Sequence, residues 1–386
     1  MISRRRFVAT AGMGLLMPAF AWGQDLAAHC VTAIRTQLAA LPDGPVLLNS
    51  YLVETGPRAN DFDRTQANAA YVYDNALAGL LLHAAGHGDA ARRIAEALAL
   101  AQAHDRFYHD GRLRNAYQAG PMTAPAKLPG FWDKKANRWD EDPYQVGSDT
   151  GPIAWAMLLW AALGMTAPAN AAGNFLDDQL RAPSGYYGGF YGFEPHPLKL
   201  SWQSTEQNTD LATAFGKLGR AEDAAHAAGF VRAMFDPRAH HFIAGLGPDG
   251  QRNKMLAADA GIWPYLAGLA DAATAQAAIA GLRHGAGIAF SSAGNGIWLE
   301  GTAFAALALR RAGNGLAPSL FATLAQNISP QGYLYATVAP VLETGLTVGP
   351  SLQKHTKPQA FDYYRRPSLS ATAWAGLAAL GADPLA

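Results

Sequence analysis

The stretch Trp202-Gln203-Ser204-Thr205-Glu206-Gln207-Asn208-Thr209-Asp210-Leu211-Ala212-Thr213-Ala214-Phe215 decides how this chain is read. Ser204 followed three residues later by Gln207 is a capping-box pattern, so a helix starts here. Glu206 and Asp210 are four residues apart, which puts both carboxylates on one face of that helix. Leu211, Ala214 and Phe215 lie on the other face among small residues, as in a helix packed closely by its neighbours. Two acids stacked in the first turns of such a helix are costly, because a buried charge loses free energy unless it is paired. An acid pair there also complements the helix dipole, so the pair has a structural reading beside a catalytic one.

Outward from this helix, apolar periodicity predicts about twelve helices. They cover residues 26–41, 68–85, 89–104, 150–163, 169–181, the opening helix, 221–235, 256–269, 272–282, 297–312, 318–326 and 368–380. Pro152 suits the first turn of its helix. The helices alternate in character. Those holding Asp74, Trp155, Glu206, Trp263, Glu300 and Trp374 are rich in Ala, Gly, Leu and Trp, whereas the others carry a charged stripe. Helical hairpins with one buried and one exposed member indicate a stacked or closed array, and their irregular spacing excludes a fixed-period solenoid. The expected fold class is all-α: an (α/α)6 toroid in one domain, almost wholly helical, with short β-hairpins in its long loops. The segments 105–148 and 186–193 are read as such loops.

The first residues form an address. Ser3-Arg4-Arg5-Arg6-Phe7-Val8 looks like a twin-arginine export signal, and a short apolar run follows to Ala21. Cleavage after Ala21-Trp22-Gly23 leaves Gln24 first, so the expected division is a signal peptide over 1–23 and the catalytic domain over 24–386. The apolar run is too short for stable membrane insertion. The protein is expected to be periplasmic or secreted by the twin-arginine route.

Composition narrows the function classes. Lys+Arg 30 balance Asp+Glu 30 in 386 residues, and no basic stripe points to nucleic acid. The single cysteine, Cys30, excludes an intramolecular disulfide and a thiolate metal cluster. His240-His241 lacks a third ligand at metal spacing and is read as a loop pair. No cofactor or metal is expected, and the chain is read as a monomer. Trp 9, Tyr 14 and Phe 16 supply enough aromatic surface for a carbohydrate platform.

The segments 73–78, 204–210, Asp259 with Trp263, 298–303 (Trp298-Leu299-Glu300-Gly301-Thr302-Ala303) and 371–374 resemble bacterial six-hairpin glycosidase-like proteins in their order and ring positions. The resemblance spans nearly all of the mature chain. It implies an (α/α)6 fold whose active cleft lies at the N-terminal ends of the inner helices. It implies no substrate, since the superfamily includes hydrolases, phosphorylases, lyases and epimerases.

The residues themselves lead to the same place. Each buried helix but the last carries an acid near its start: Asp74, Asp149, Glu206 with Asp210, Asp259, and Glu300. In a ring of parallel inner helices these starts converge at one mouth. Glycoside hydrolysis needs one carboxyl protonated as acid and another ionised as base or nucleophile. A helix start favours the ionised form, so the acid must be held protonated by burial or a like charge. Glu206, beside Asp210, is the expected general acid; Glu300 is the first candidate base and Asp74 the second. Asp210, Asp149 and Asp259 are expected to bind substrate, although Asp149 also suits a helix cap and Asp259 could merely orient Trp263 or bond loop backbone. Trp202, Trp263, Trp298, Tyr187, Tyr191 and Tyr363 are expected against the sugar, and Trp132, Trp139, Tyr186 and Phe190 lie in loops entering the mouth.

The expected activity is an exported glycoside hydrolase acting on a poly- or oligosaccharide. A polysaccharide lyase of the same fold would use a Tyr or His base and a cationic subsite, for which Tyr363, Tyr364, Arg365, Arg366 and His355 are candidates. A sugar epimerase would rely on paired histidines and has little reason to be exported. A non-catalytic glycan-binding protein would keep the aromatics and show no activity to lose.

Overall fold

The computed structural model describes residues 19–349 and 359–386. The expected twin-arginine motif and His355 lie outside the described residues. Among those described, thirteen α-helices occur in the order α1 (Ala19–Ala39), α2 (Asp61–Gln66), α3 (Val72–Ala84), α4 (Gly88–Ala103), α5 (Thr150–Ala162), α6 (Thr166–Leu180), α7 (Thr205–Lys217), α8 (Ala221–Ala233), α9 (Ala258–Leu266), α10 (Ala272–Gly281), α11 (Leu299–Arg311), α12 (Ala317–Ala325) and α13 (Leu369–Leu380). None of them is long and apolar enough to cross a membrane.

Packing between these helices follows a simple order. Helix α3 packs on α5, α5 on α7, α7 on α9, α9 on α11, α11 on α13, and α13 back on α3. Each of the six is backed by one further helix: α4 behind α3, α6 behind α5, α8 behind α7, α10 behind α9, α12 behind α11, and α1 behind α13. Small residues let the six approach closely. A Cβ on Gly376 of α13 would lie 2.5 Å from Leu81 Cδ2 of α3 and 3.1 Å from Cys30 Cβ of α1. A Cβ on Gly79 of α3 would lie 2.7 Å from Leu159 Cδ2 of α5.

The centre of this arrangement is filled by aromatic rings from four helices. Trp155 (α5), Trp263 (α9), Phe304 (α11) and Trp374 (α13) contact one another with ring centroids 5.4 to 5.8 Å apart. Tyr73 of α3 meets Trp155 edge-on at 5.3 Å. Such edge-to-face contacts add to the burial each ring already contributes.

Two expectations need correction. Helix α2 was not expected: its six residues are too short to show a period, but Asn60 and Asp63 form a reciprocal capping box with both bonds at 3.0 Å. The described residues are also less helical than the periodicity implies, because among them the long loops hold eight sheets of two or three strands. Residues 69–71, read as helix, pair with 116–118 as strand, and 189–191 joins 148–149 to 198–200. Long loops that come together must pair their backbone groups, and short ladders do so.

Candidate active site

The acids stand where the inner helices begin. Asp74, Glu206, Asp259 and Glu300 lie in the first turns of α3, α7, α9 and α11, and Asp149 is the N-cap residue of α5. Asparagines bracket the loops onto these helix starts. Asn75 accepts from Leu48 N at 2.8 Å and donates to Leu48 O at 3.0 Å. Asn208 does the same for Tyr186, at 2.8 and 3.2 Å. Asn115 Oδ1 accepts from Asp149 N at 2.7 Å. Ser204 accepts from Gln207 N at 3.4 Å, so the expected cap forms, loosely.

The carboxyls act on one another across helices. Glu206 is raised far above the ordinary range by burial first, then by the charges of Asp259, Asp210, Glu300 and Asp149. Asp210 is raised by burial and Asp259, and Asp74 by burial and Glu300. Burial also raises Asp149 and Glu300 to about 7, and Asp259 to about 6. Among the described residues, no guanidinium or ammonium is among the groups shifting Asp74, Asp149, Asp210, Asp259 or Glu300. These five are buried, whereas Glu206 alone of the six keeps part of its surface open to solvent.

Individual partners separate their states. Asp259 accepts from Ala260 N at 2.6 Å, which favours its ionised form, and after burial the charge of Asp259 comes first among those that hold a proton on Glu206. Glu300 Oε1 accepts from Tyr73 Oη at 2.5 Å, and Tyr73 Oη in turn accepts from Trp374 Nε1 at 2.9 Å. Burial and the charge of Glu300 raise Asp74, and Ser50 acts against them. Of the two candidate bases, Glu300 is the one with a hydroxyl donor at hydrogen-bond distance, and such a bond favours its ionised form. Both oxygens of Asp210 and the facing Trp155 Nε1 lack a hydrogen bond of sound geometry, although the indole N–H lowers the Asp210 pKa.

The other expected residues divide. Trp263 and Trp298 are 1% and 2% exposed, so the expectation that they stack on a ligand is corrected: they are core, Trp298 packing on Phe290, Phe304 and Tyr363. Asp149 makes no side-chain cap, and its Oδ1 has no partner. Asp259 bonds backbone but does not orient Trp263, whose Nε1 is unpartnered. Trp202, Tyr187, Tyr191 and Tyr363 are partly exposed. Trp202 lies over Gly188 and donates from Nε1 to Gly349 O at 3.2 Å, while Tyr191 Oη donates to Gln359 Oε1 at 3.3 Å. Tyr363 feels Glu300, Tyr51, Asp74 and Tyr144, so it borders the acids. Reading by residue type missed Tyr73 and Ser50. Tyr73 adjoins Asp74, and that adjacency was the available signal.

A cavity of 410 Å³ opens elsewhere, between the C-terminal ends of α3, α5, α7 and α13, and brings no carboxyl pair together.

No known protein-family model matches the chain, and no curated protein matches it. Among solved structures it is similar to a glycosidase in complex with glucose, at 17% identity over 96% of this chain and 99% of that one, with a TM-score of 0.58. A sugar epimerase from a ruminal bacterium is similar at 10% identity over 92% and 98%, with a TM-score of 0.59. A type II terpene cyclase from Scytonema, bound to geranylgeranyl dihydroxybenzoate, is similar at 15% identity over 96% and 100%, with a TM-score of 0.55. At these identities the likeness is one of fold, consistent with the six-hairpin glycosidase-like architecture. Three chemistries on one scaffold leave function to the site.

Proposed function

We propose that the protein is an (α/α)6 toroid acting as a glycoside hydrolase on a poly- or oligosaccharide, exported by the twin-arginine route and working as a monomer. The observation carrying this reading is the cluster of six carboxyls from five inner helices, one partly open to solvent and the rest buried without a cation among the groups shifting them. Glu206, held protonated by burial and by Asp259, donates its proton to the leaving oxygen. Glu300, poised near neutrality and oriented by Tyr73, acts as base or nucleophile. Asp74 and Asp149 bind hydroxyls of the sugar, whereas Asp210, 0% exposed, acts through its charge on Glu206.

A lyase acting on uronates finds less support. Arg366 is committed to Asp63 at 2.6 and 2.8 Å. Arg365 stacks over Tyr335 at 4.0 Å and bonds the carbonyls of Thr337 and Val338. Neither offers a free cation to an acidic sugar. The test is a glycan panel incubated with purified mature protein, read for new reducing ends and for absorbance of unsaturated products. Reducing ends without unsaturation support hydrolysis. Unsaturated products establish a lyase, and binding without cleavage establishes a glycan-binding protein.

A further inference from the structure

A second groove, of 680 Å³, lies beside the acids and is not needed for the chemistry proposed above. One wall is the hairpin pairing 131–133 with 138–140, which carries Trp139. The facing wall is Phe193, beyond the strand 189–191. Trp139 and Phe193 are 44% and 47% exposed, an unusual cost for two large rings in one groove. Trp139 is held in place: a Cβ on Gly130 would come 2.6 Å from its Nε1, so the indole lies against bare backbone.

The two walls are tied together from beneath. Arg106 reaches Glu141 on one side at 2.6 and 2.7 Å and Glu194 on the other at 2.5 Å. Arg114, fully buried, joins Glu194 at 3.0 Å to Asp105 at 2.6 Å. Gly192 N adds a bond to Pro143 O at 3.0 Å. The groove is therefore fixed before any ligand arrives, which reduces the entropy lost on binding.

Its chemistry selects the occupant. Asp140, Glu141 and Asp142 line it against the single guanidinium of Arg138, which Asp140 already pairs at 2.7 Å. Arg106 pairs Glu141 as well, so an anionic glycan finds no unpaired cation among the lining residues, while a neutral sugar can place its C–H face on an aromatic ring and its hydroxyls on the carboxylates. The groove is also tied to the acid site through the chain. Asp142 accepts from Tyr144 N at 2.9 Å, Tyr144 O accepts from Asn115 Nδ2 at 2.9 Å, and Asn115 Oδ1 accepts from Asp149 N at 2.7 Å. Two residues of chain span at most about 7 Å, so the groove and the acids lie close together.

We infer that this groove is an outer subsite for a neutral oligosaccharide chain whose inner end reaches Glu206 and Glu300. The inference rests on the glycoside-hydrolase reading and adds where the outer part of the sugar chain sits and that this part is neutral. The test measures binding of maltohexaose, cellohexaose and laminarihexaose, each against its disaccharide, by calorimetry on the Glu206→Gln protein. At least one hexasaccharide should bind ten times more tightly than its disaccharide. Adding Trp139→Ala, or separately Phe193→Ala, should remove most of that ratio while the melting temperature holds. If both variants keep the ratio, or no hexasaccharide outbinds its disaccharide, the subsite is refuted. Cleavage by the wild type is scored separately, so an intact hydrolase without this subsite is told apart from failure of the hydrolase reading itself.

Discussion

Glu300→Gln should make the folded protein more stable at pH 8 while removing its activity. Glu300 is 2% exposed, and burial raises its carboxyl from 4.5 to about 7. Between those values the folded protein keeps a proton that the unfolded chain has released. Stability therefore falls as pH rises through this window, and the loss is complete above about 7. At 1.36 kcal/mol per pH unit, the ionised side chain costs the folded state about 3 kcal/mol. The amide carries no charge, still accepts from Tyr73, and relieves the charge acting on Asp74. Wild type and variant should agree within about 1 kcal/mol at pH 5, the scale of one altered hydrogen bond. At pH 8 the variant should lead by about 2–3 kcal/mol, or roughly 3–6 °C in melting temperature for a chain of this size. Calorimetric melts at the two pH values decide the matter. A variant less stable than wild type at pH 8, or a difference that does not change with pH, refutes the reasoning.

Three further outcomes are expected. Tyr73→Phe removes a hydrogen bond to a charged group, worth about 1.5–3 kcal/mol, so the Glu300 pKa should rise by about one to two pH units. The acidic limb of the kcat/KM profile should move up with it, and an unmoved limb counts against Glu300 as the base. Arg114→Met strands the buried Asp105 and should cost about 3–5 kcal/mol in chemical denaturation; a loss under about 1 kcal/mol contradicts the clamp described for the groove. Replacing Arg4 and Arg5 together by Lys should hold the precursor in the cytoplasm on fractionation, and normal export of that variant removes the twin-arginine reading.

The helices were legible because the six inner ones advertise themselves: few charges, many Ala and Gly, and one acid near the start of all but the last. Glu206 and Asp210 in one short stretch carried the clue to the site. Two kinds of information were not legible. Whether an aromatic faces a ligand or the core depends on neighbours distant in sequence, so Trp263 and Trp298 read like Trp202 although they are buried among other rings. Hydrogen-bond partners brought by the ring were equally hidden, since Tyr73 and Glu300 are 227 residues apart. Seven of the eight sheets among the described residues were obscured because their two- and three-residue strands carry no period; the eighth pairs the longer strands Val341–Thr347 and Ala360–Tyr364.

The central claim is that Glu206 delivers the proton to the departing sugar oxygen. It is tested most directly by turnover of Glu206→Gln on two substrates: the glycan that the panel identifies, and a dinitrophenyl glycoside of the same sugar, whose leaving group departs without a proton. The account predicts a loss of about a hundred- to ten-thousand-fold on the glycan and a far smaller loss on the aryl glycoside. Full activity on the glycan, or equal losses on both substrates, would contradict it.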